Sequence, residues 1–296
     1  MDLSIIIVSW NVKEKLRQCL SHLILSQTNF EFEVFVVDNG SLDGSAEMVR
    51  TDFPEVKLIE NQSNLGFAKA NNLAFRQSKG ELILLLNPDN FVFPDTIDSW
   101  LHWLKLNRQV SLSGCRLLDK KGDDIKGQVR KFPNLFNQLA VILKLPYLFP
   151  GILDHYLCVG FDYDKPLKVE TVRGSAMMIK RSALEGALAP DQLIQGQLLD
   201  ERYFVWFEDV DICQAFKRAK EEVWYTSAAH CYDLVGQSFA QLPRLRAQKL
   251  FRAAMLSYFK KWKPFWQYWI LWLAWPVGIA MTYFFTWLKF EKKDNS

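Results

Sequence analysis

The run Leu82-Ile83-Leu84-Leu85-Leu86-Asn87-Pro88-Asp89 ends on a carboxylate. Five consecutive apolar residues predict a strand buried on both faces, and Asn87-Pro88 stop it, so Asp89 stands at the C-terminal edge of a sheet. Ligands bind at that edge in open α/β sheets. A hard oxygen donor there suits a divalent cation, Mg²⁺ or Mn²⁺, holding a diphosphate. Alone, the tripeptide would read as an ordinary Asx turn; the clusters around it argue for more.

Val36-Val37-Asp38-Asn39-Gly40-Ser41 places Asp38 at a second strand end, able to accept from a nucleobase imide or a ribose hydroxyl. Asn64-Leu65-Gly66-Phe67-Ala68-Lys69-Ala70-Asn71-Asn72 brings small residues and amides to the start of a helix, where capping is the plainer role. Glu208-Asp209-Val210-Asp211 follows the aromatic run Tyr203–Phe207. Acids at a helix start complement its dipole, but behind so apolar a run one of them should be buried enough to act as a general base. His230, with Gly236 and Ser238 after it, becomes a credible nitrogen ligand if a carboxylate-bound metal lies nearby.

These residues need a scaffold of alternating strands and helices, and the sequence supplies one. Strands are predicted at Leu3–Val8, Glu33–Val37, Val56–Ile59 and Leu82–Leu86, with helices around Leu16–Leu23, over Ala68–Gln77 and over Thr96–Leu106. Such alternation predicts a mostly parallel sheet flanked by helices, an α/β fold. Residues 119–168 read as an irregular insertion with one apolar helix at Leu135–Leu145. Val169–Lys180 reads as a returning strand broken at Gly174, Glu208–Arg218 as a helix and Val223–Tyr225 as a short strand.

The 296 residues carry 36 basic and 33 acidic side chains, net +3, too balanced for a general nucleic-acid binder. Five scattered cysteines fit a reducing compartment better than a disulfide framework. The start Met1-Asp2-Leu3 lacks the features of a signal peptide, which predicts a cytoplasmic body. Seven basic residues lie between Arg244 and Lys263 with no acid among them, and Phe265–Leu288 follows with 24 uncharged residues rich in Trp. This 241–296 region is expected to associate with the membrane as a span, a re-entrant hairpin or an in-plane anchor, and a chain ending near Arg244 is expected to be soluble.

Ile7-Val8-Ser9-Trp10-Asn11, Val37–Ser41, Asn64–Ala68, Leu86–Asp89, Arg173-Gly174-Ser175-Ala176, Phe207–Asp211 and His230 with Gly236 and Ser238, in that order, resemble the family 2 inverting glycosyltransferases of the GT-A fold. The bacterial rhamnosyltransferase-like members that build surface polysaccharides are the most similar. The resemblance implies a catalytic domain over 1–240 and a nucleotide-sugar donor, dTDP-rhamnose favoured, gripped by Ser9, Asn11, Asp38, Asn64, Gly66, Phe67, Asn71, Asn87, Gly174 and Ser175. It implies a divalent metal on Asp89 and His230, with Asp209 as base beside Glu208. The acceptor would be a hydroxyl of a lipid-linked or cell-surface saccharide at the cytoplasmic face of the inner membrane. Neither GxGxxG nor GxxxxGK[ST] is present, which argues against dinucleotide and P-loop chemistry. A nucleotidyltransferase, or a non-catalytic sugar-nucleotide-binding scaffold, are the alternatives.

Overall fold

A computed structural model describes residues 1–234 and 243–294; Gly236 and Ser238 lie outside the described residues. The first strand, β1 (Leu3–Ser9), is apolar on both faces because both are covered. Ile5 and Ile7 enter one hydrophobic cluster, and Ile6 and Val8 enter another on the opposite side. Burying each such side chain contributes about 1.5–3 kcal/mol. Helix α1 (Lys13–Ile24) lays Leu16, Leu20 and Leu23 on the first face and returns the chain to β2 (Phe32–Asp38), parallel to β1. Helix α2 (Ser45–Asp52) leads to β3 (Lys57–Glu60), and α3 (Phe67–Phe75) crosses the second face to β4 (Leu82–Leu86).

Strand β4 pairs with the free side of β1, giving the order β3-β2-β1-β4, all parallel. The order reverses between β1 and β4, and a crevice opens beyond the C-terminal ends of strands at such a reversal. Beyond β4 the chain forms β5 (Asn90–Val92), α4 (Thr96–Leu106) and β6 (Val110–Leu118). In the 119–168 stretch lie β7 (Val129–Arg130), α5 (Leu135–Ile142) and β8 (Leu167–Lys168). A reciprocal capping box between Asn134 and Asn137 fixes the start of α5.

The expected returning strand is two strands, β9 (Thr171–Val172) and β10 (Ala176–Lys180), separated at Gly174. Strand β10 runs antiparallel between β4 and β6, so the parallel order is interrupted there and resumes between β6 and β11 (Glu222–Asp233). Two short helices, α6 (Leu184–Ala187) and α7 (Pro190–Ile194), precede α8 (Glu208–Arg218). Acids in the first turn of α8 and Lys217 and Arg218 in its last complement the helix dipole.

The chain then forms α9 (Arg244–Trp262) and α10 (Phe265–Asp294). Helix α9 is no appendage: Met255, Tyr258 and Phe259 are fully buried in the same cluster as β1 and α8. Among the described residues no helix is long and apolar enough to cross a membrane.

Candidate active site

A cavity of about 390 Å³ opens at the β1/β4 reversal, lined by Trp10, Asn39, Asn64, Gly66, Asn87, Asp89, Arg173, Ser175, Trp206, Glu208, Asp209, Asp233 and Arg246, among others. One wall is organised by Asn39. Its Nδ2 donates to Asn64 Oδ1 (3.0 Å) and to the Gly66 carbonyl (3.3 Å), while its Oδ1 accepts from Asn61 Nδ2 and the Leu65 N–H, both at 3.0 Å. A fully used amide of this kind fixes a loop that would otherwise be mobile. Gly66 has φ +87°, and a Cβ there would lie 2.4 Å from the Phe204 carbonyl, so only glycine lets this turn meet the opposite wall. The Phe67 N–H donates to that same carbonyl at 2.6 Å.

The floor is the Asn87-Pro88-Asp89 turn. The Asn87 N–H and Asn90 Nδ2 both donate to the Ser175 carbonyl at 2.8 Å, and Ser175 Oγ donates to Asp233 Oδ2 at 2.9 Å. The Leu234 N–H donates to the Asp89 carbonyl at 3.1 Å. Ser175 thus ties the end of β4 to the end of β11, with Asp89 and Asp233 in one cleft. Both are buried.

Across the cleft, α8 begins. Trp206 and Phe207 have φ +65° and +67°, a left-handed region costing a non-glycine residue about 1–3 kcal/mol. That turn presents Glu208 and Asp209. Asp209 Oδ2 accepts from Arg130 Nη2 (3.0 Å) and the Gly174 N–H (3.2 Å), and Oδ1 accepts from the Val210 N–H (2.8 Å). A carboxylate offers about four lone-pair sites, so acceptor capacity remains for a substrate hydroxyl. Glu208 Oε2 is buried and has no hydrogen-bond partner among the described residues. Burial, and then the neighbouring Asp209 charge, push the Glu208 carboxyl up to about 8.

Of the expected donor-binding residues, Asn64, Gly66, Phe67, Asn87, Gly174 and Ser175 line the cleft; Ser9, Asn11, Asp38 and Asn71 do not. Ser9 and Asp38 are register partners at the ends of β1 and β2, and each leaves a buried oxygen without a partner, Ser9 Oγ and Asp38 Oδ1. Asn11 accepts the Leu42 N–H on Oδ1 (2.8 Å) and so pins the loop after β2 to the end of β1. Asn71 donates to the Phe67 carbonyl at 2.9 Å within α3.

Over residues 4–185 the sequence matches the Glycosyl transferase family 2 domain. The chain belongs to that family. It is 26% identical over 226 residues to the N-acetylglucosaminyl-diphospho-decaprenol L-rhamnosyltransferase of Mycobacterium tuberculosis, covering 71% of this chain and 68% of that protein. It is 34% identical over 100 residues to the uncharacterized glycosyltransferase YfnE of Bacillus subtilis, 33% of this chain and 25% of that one. An uncharacterized glycosyltransferase of Haemophilus influenzae is 33% identical over 109 residues, 37% of this chain and 36% of the other. The chain therefore spans only a quarter to about a third of the length of the latter two. The S. aureus TarS fragment 1–349, crystallised with UDP-GlcNAc, shares the fold: TM-score 0.56, 16% identity, 88% of this chain and 67% of that one.

Of the expected metal pair, the structure places Asp89 in the cleft and His230 outside it. His230 is not among the residues lining the cleft; its ring packs on Phe93 (centroids 4.6 Å apart), and its carbonyl accepts from Thr96 Oγ1. Asp233, three residues on, does line the cleft. The register of β11 against β6 slips between Thr226 and His230, and beyond the slip Cys231 and Asp233 are the buried residues of the strand, Cys231 in the hydrophobic core and Asp233 at the cleft. Among the described residues no three His, Cys, Asp or Glu side chains converge as a metal-binding group. Two carboxylates suffice for Mg²⁺ or Mn²⁺ when substrate phosphates and water complete the octahedron, so the donor set fits. Arg173, whose Nε lies 3.8 Å from Asp233 Oδ2, and Arg246 supply positive charge to the same cleft.

Proposed function

We propose that this family 2 glycosyltransferase moves a sugar, with inversion, from a nucleoside-diphosphate donor to a hydroxyl of a lipid-linked or cell-surface saccharide. The observation that carries the reading is one cleft holding Asp209 at the start of α8 opposite Asp89 and Asp233 at the strand ends. dTDP-rhamnose is the favoured donor. The M. tuberculosis relative, named as a rhamnosyltransferase acting on a lipid diphosphate, supports both the sugar and the acceptor class. Residues 1–240 are the catalytic region, and 241–296 hold it at the cytoplasmic face of the membrane.

In the proposed reaction the donor base lies over the ends of β1 and β2. Asp38, buried behind the cleft wall, would have to turn its unfilled Oδ1 outward to accept an imide N–H, and the Asn39–Asn64 loop supports the ribose. Asp89 and Asp233 would hold the divalent ion, which when bound neutralises charge growing on the departing diphosphate. Arg173 and Arg246 add to that neutralisation from the cleft wall. Asp209, oriented by Arg130 and the Gly174 N–H, takes the proton of the acceptor hydroxyl as its oxygen attacks the anomeric carbon. The new C–O bond forms as the bond to the diphosphate oxygen breaks, and the proton stays on Asp209. A buried, protonated Glu208 beside it keeps a second negative charge away from the base.

A panel of dTDP-, UDP- and GDP-sugars, each incubated with a lipid-linked acceptor extract, tests the reading through nucleoside diphosphate release. Acceptor-dependent release from dTDP-rhamnose is expected. Release from none of the donors would reject the function, and release from a UDP- or GDP-sugar alone would reassign the donor.

A further inference from the structure

Burial alternates along Tyr203–Phe207, the run that leads into α8. Tyr203, Val205 and Phe207 are buried, whereas Phe204 and Trp206 are half-buried and line the cleft. The Phe207 ring packs on α9, its centroid 5.5 Å from that of Phe251 and 5.7 Å from that of Tyr258. The Phe204 carbonyl accepts the Phe67 N–H, so Phe204 abuts the wall that Asn39 and Gly66 organise. Trp206 belongs to the other wall. It stands two residues before Glu208, with its ring edge-on to Phe251 at 6.0 Å.

The backbone that presents this indole is strained. Bulky residues avoid positive φ, yet Trp206 and Phe207 adopt it in succession. Core packing accounts for Phe207, whose ring is buried. It does not account for Trp206, whose indole stays half-buried between the cleft and a second cavity of about 280 Å³. Strain of this kind persists where the surrounding structure over-determines it, and it concentrates at ligand sites. What the strained turn achieves is a large aromatic surface in the cleft wall beside Glu208 and Asp209. The electron-rich face of an indole complements C–H groups, which carry partial positive charge. One face of a pyranose ring is made of such groups.

We propose that Trp206 is the stacking platform for the acceptor sugar and determines which sugars reach Asp209, an inference that rests on the saccharide acceptor proposed above. The pyranose lies with its C–H face on the indole and directs one hydroxyl at the acceptor capacity left on Asp209. Phe204, against the opposite wall, marks the boundary with the donor. Selection is by shape: a hydroxyl standing on the stacked face lifts the ring off the indole and forfeits the contact.

Saturation-transfer NMR on the full chain tests this with a panel of methyl glycosides of hexoses and N-acetylhexosamines, dTDP being present throughout. Saturation is expected on the C–H face of the glycosides that bind. Trp206→Leu, which keeps an apolar side chain but no aromatic face, should abolish it, and Trp206→Phe should retain it. In transfer from dTDP-rhamnose to the lipid-linked acceptor extract, Trp206→Leu should raise the acceptor KM at least ~10-fold with the donor KM unchanged. Thermal melting of both variants guards against misfolding. If Trp206→Leu fails to fold, the wild type and Trp206→Phe still decide, since absence of saturation in either would overturn the proposal. Equal saturation in Trp206→Leu and the wild type, or a shift in the donor KM in place of the acceptor KM, would overturn it as well. The NMR arm reads no sugar transfer, so its failure is distinguishable from failure of the donor panel.

Discussion

Glu208 and Asp209 are neighbours in sequence under opposite electrostatic conditions. Asp209 has Arg130 and a backbone N–H; Glu208 is buried with an unfilled oxygen. Asp209→Asn should therefore cut turnover at least ~10²-fold, the lower range for loss of a general base, with donor affinity little changed. Near-normal turnover in the purified variant would pass the role to Glu208, since Asp211 is already engaged by Lys261 and Trp262. The unfolded chain ionises Glu208 near 4.5 and the fold near 8, so the fold holds the extra proton between those values. That stabilisation is complete below about 4.5 and is lost as pH rises through 8, by at most ~1.4 kcal/mol per pH unit. Glu208→Gln should flatten the decline of the urea midpoint across this window; an unchanged slope would mean that Glu208 is ionised in the fold. The places of Asp89 and Asp209 in the cleft were legible because each follows an apolar run that had to end at a sheet edge or helix start. That of Asp233 was not, because a histidine three residues earlier is the more familiar metal-ligand type.

Helix α8 owes its position to a polar network behind the cleft. Lys261 Nζ of α9 donates to Asp211 Oδ2 (2.7 Å) and Asp200 Oδ2 (2.8 Å), while Asp211 Oδ1 accepts from Tyr203 Oη (2.9 Å) and Trp262 Nε1 (2.6 Å). The two carboxylates respond differently. Burial outweighs Lys261 at Asp211 and raises its proton affinity, whereas at Asp200 the hydrogen bonds from Arg202 and Lys261 outweigh burial and lower it. Lys261→Met should destabilise the fold by about 3–5 kcal/mol in chemical denaturation, because it strands buried charge. A loss under ~1 kcal/mol would show that the network contributes no more than an exposed pair does. At this scale the sequence was readable where one period dominated, as in α4 and β4. It was silent on β6, whose Val110–Leu118 run is divided by Gly114, and it stopped β11 at Tyr225 because the register slip after Thr226 destroys the alternation. Helix α2 escaped notice because its eight residues bury only Ser45, Met48 and Val49.

For the molecule as a whole, the tail is both core and surface. Met255, Tyr258 and Phe259 are fully buried, while Phe265, Trp266 and Trp269 of the next helix are exposed. This packing argues against the expectation that a chain ending near Arg244 stays soluble: such a chain would uncover the core and lose Lys261, and it should aggregate on expression. Recovery of a soluble, cooperatively melting fragment would contradict the packing of α9. The full chain, by contrast, should sediment with vesicles rich in anionic lipid. Each basic residue near that surface contributes on the order of 1 kcal/mol, so raising salt should release it in part. Equal binding to neutral vesicles at all salt concentrations would remove the basic segment from the account.

The meeting of the two cleft walls also has a timetable. Asn72, in the helix behind Gly66, donates to the Leu199 carbonyl 127 residues later in the chain. At a synthesis rate of about 5–20 residues per second, the first wall waits roughly 6–25 s for the segment that carries Phe204 and Asp209. The strands β1 to β4 have time to pair during that interval, so the Asn39–Gly66 wall of the cleft would be built first and the Asp209 wall fitted to it. A ribosome paused before Leu199 would hold a chain with ordered parallel strands and an exposed α3 face, a state for a chaperone to cover.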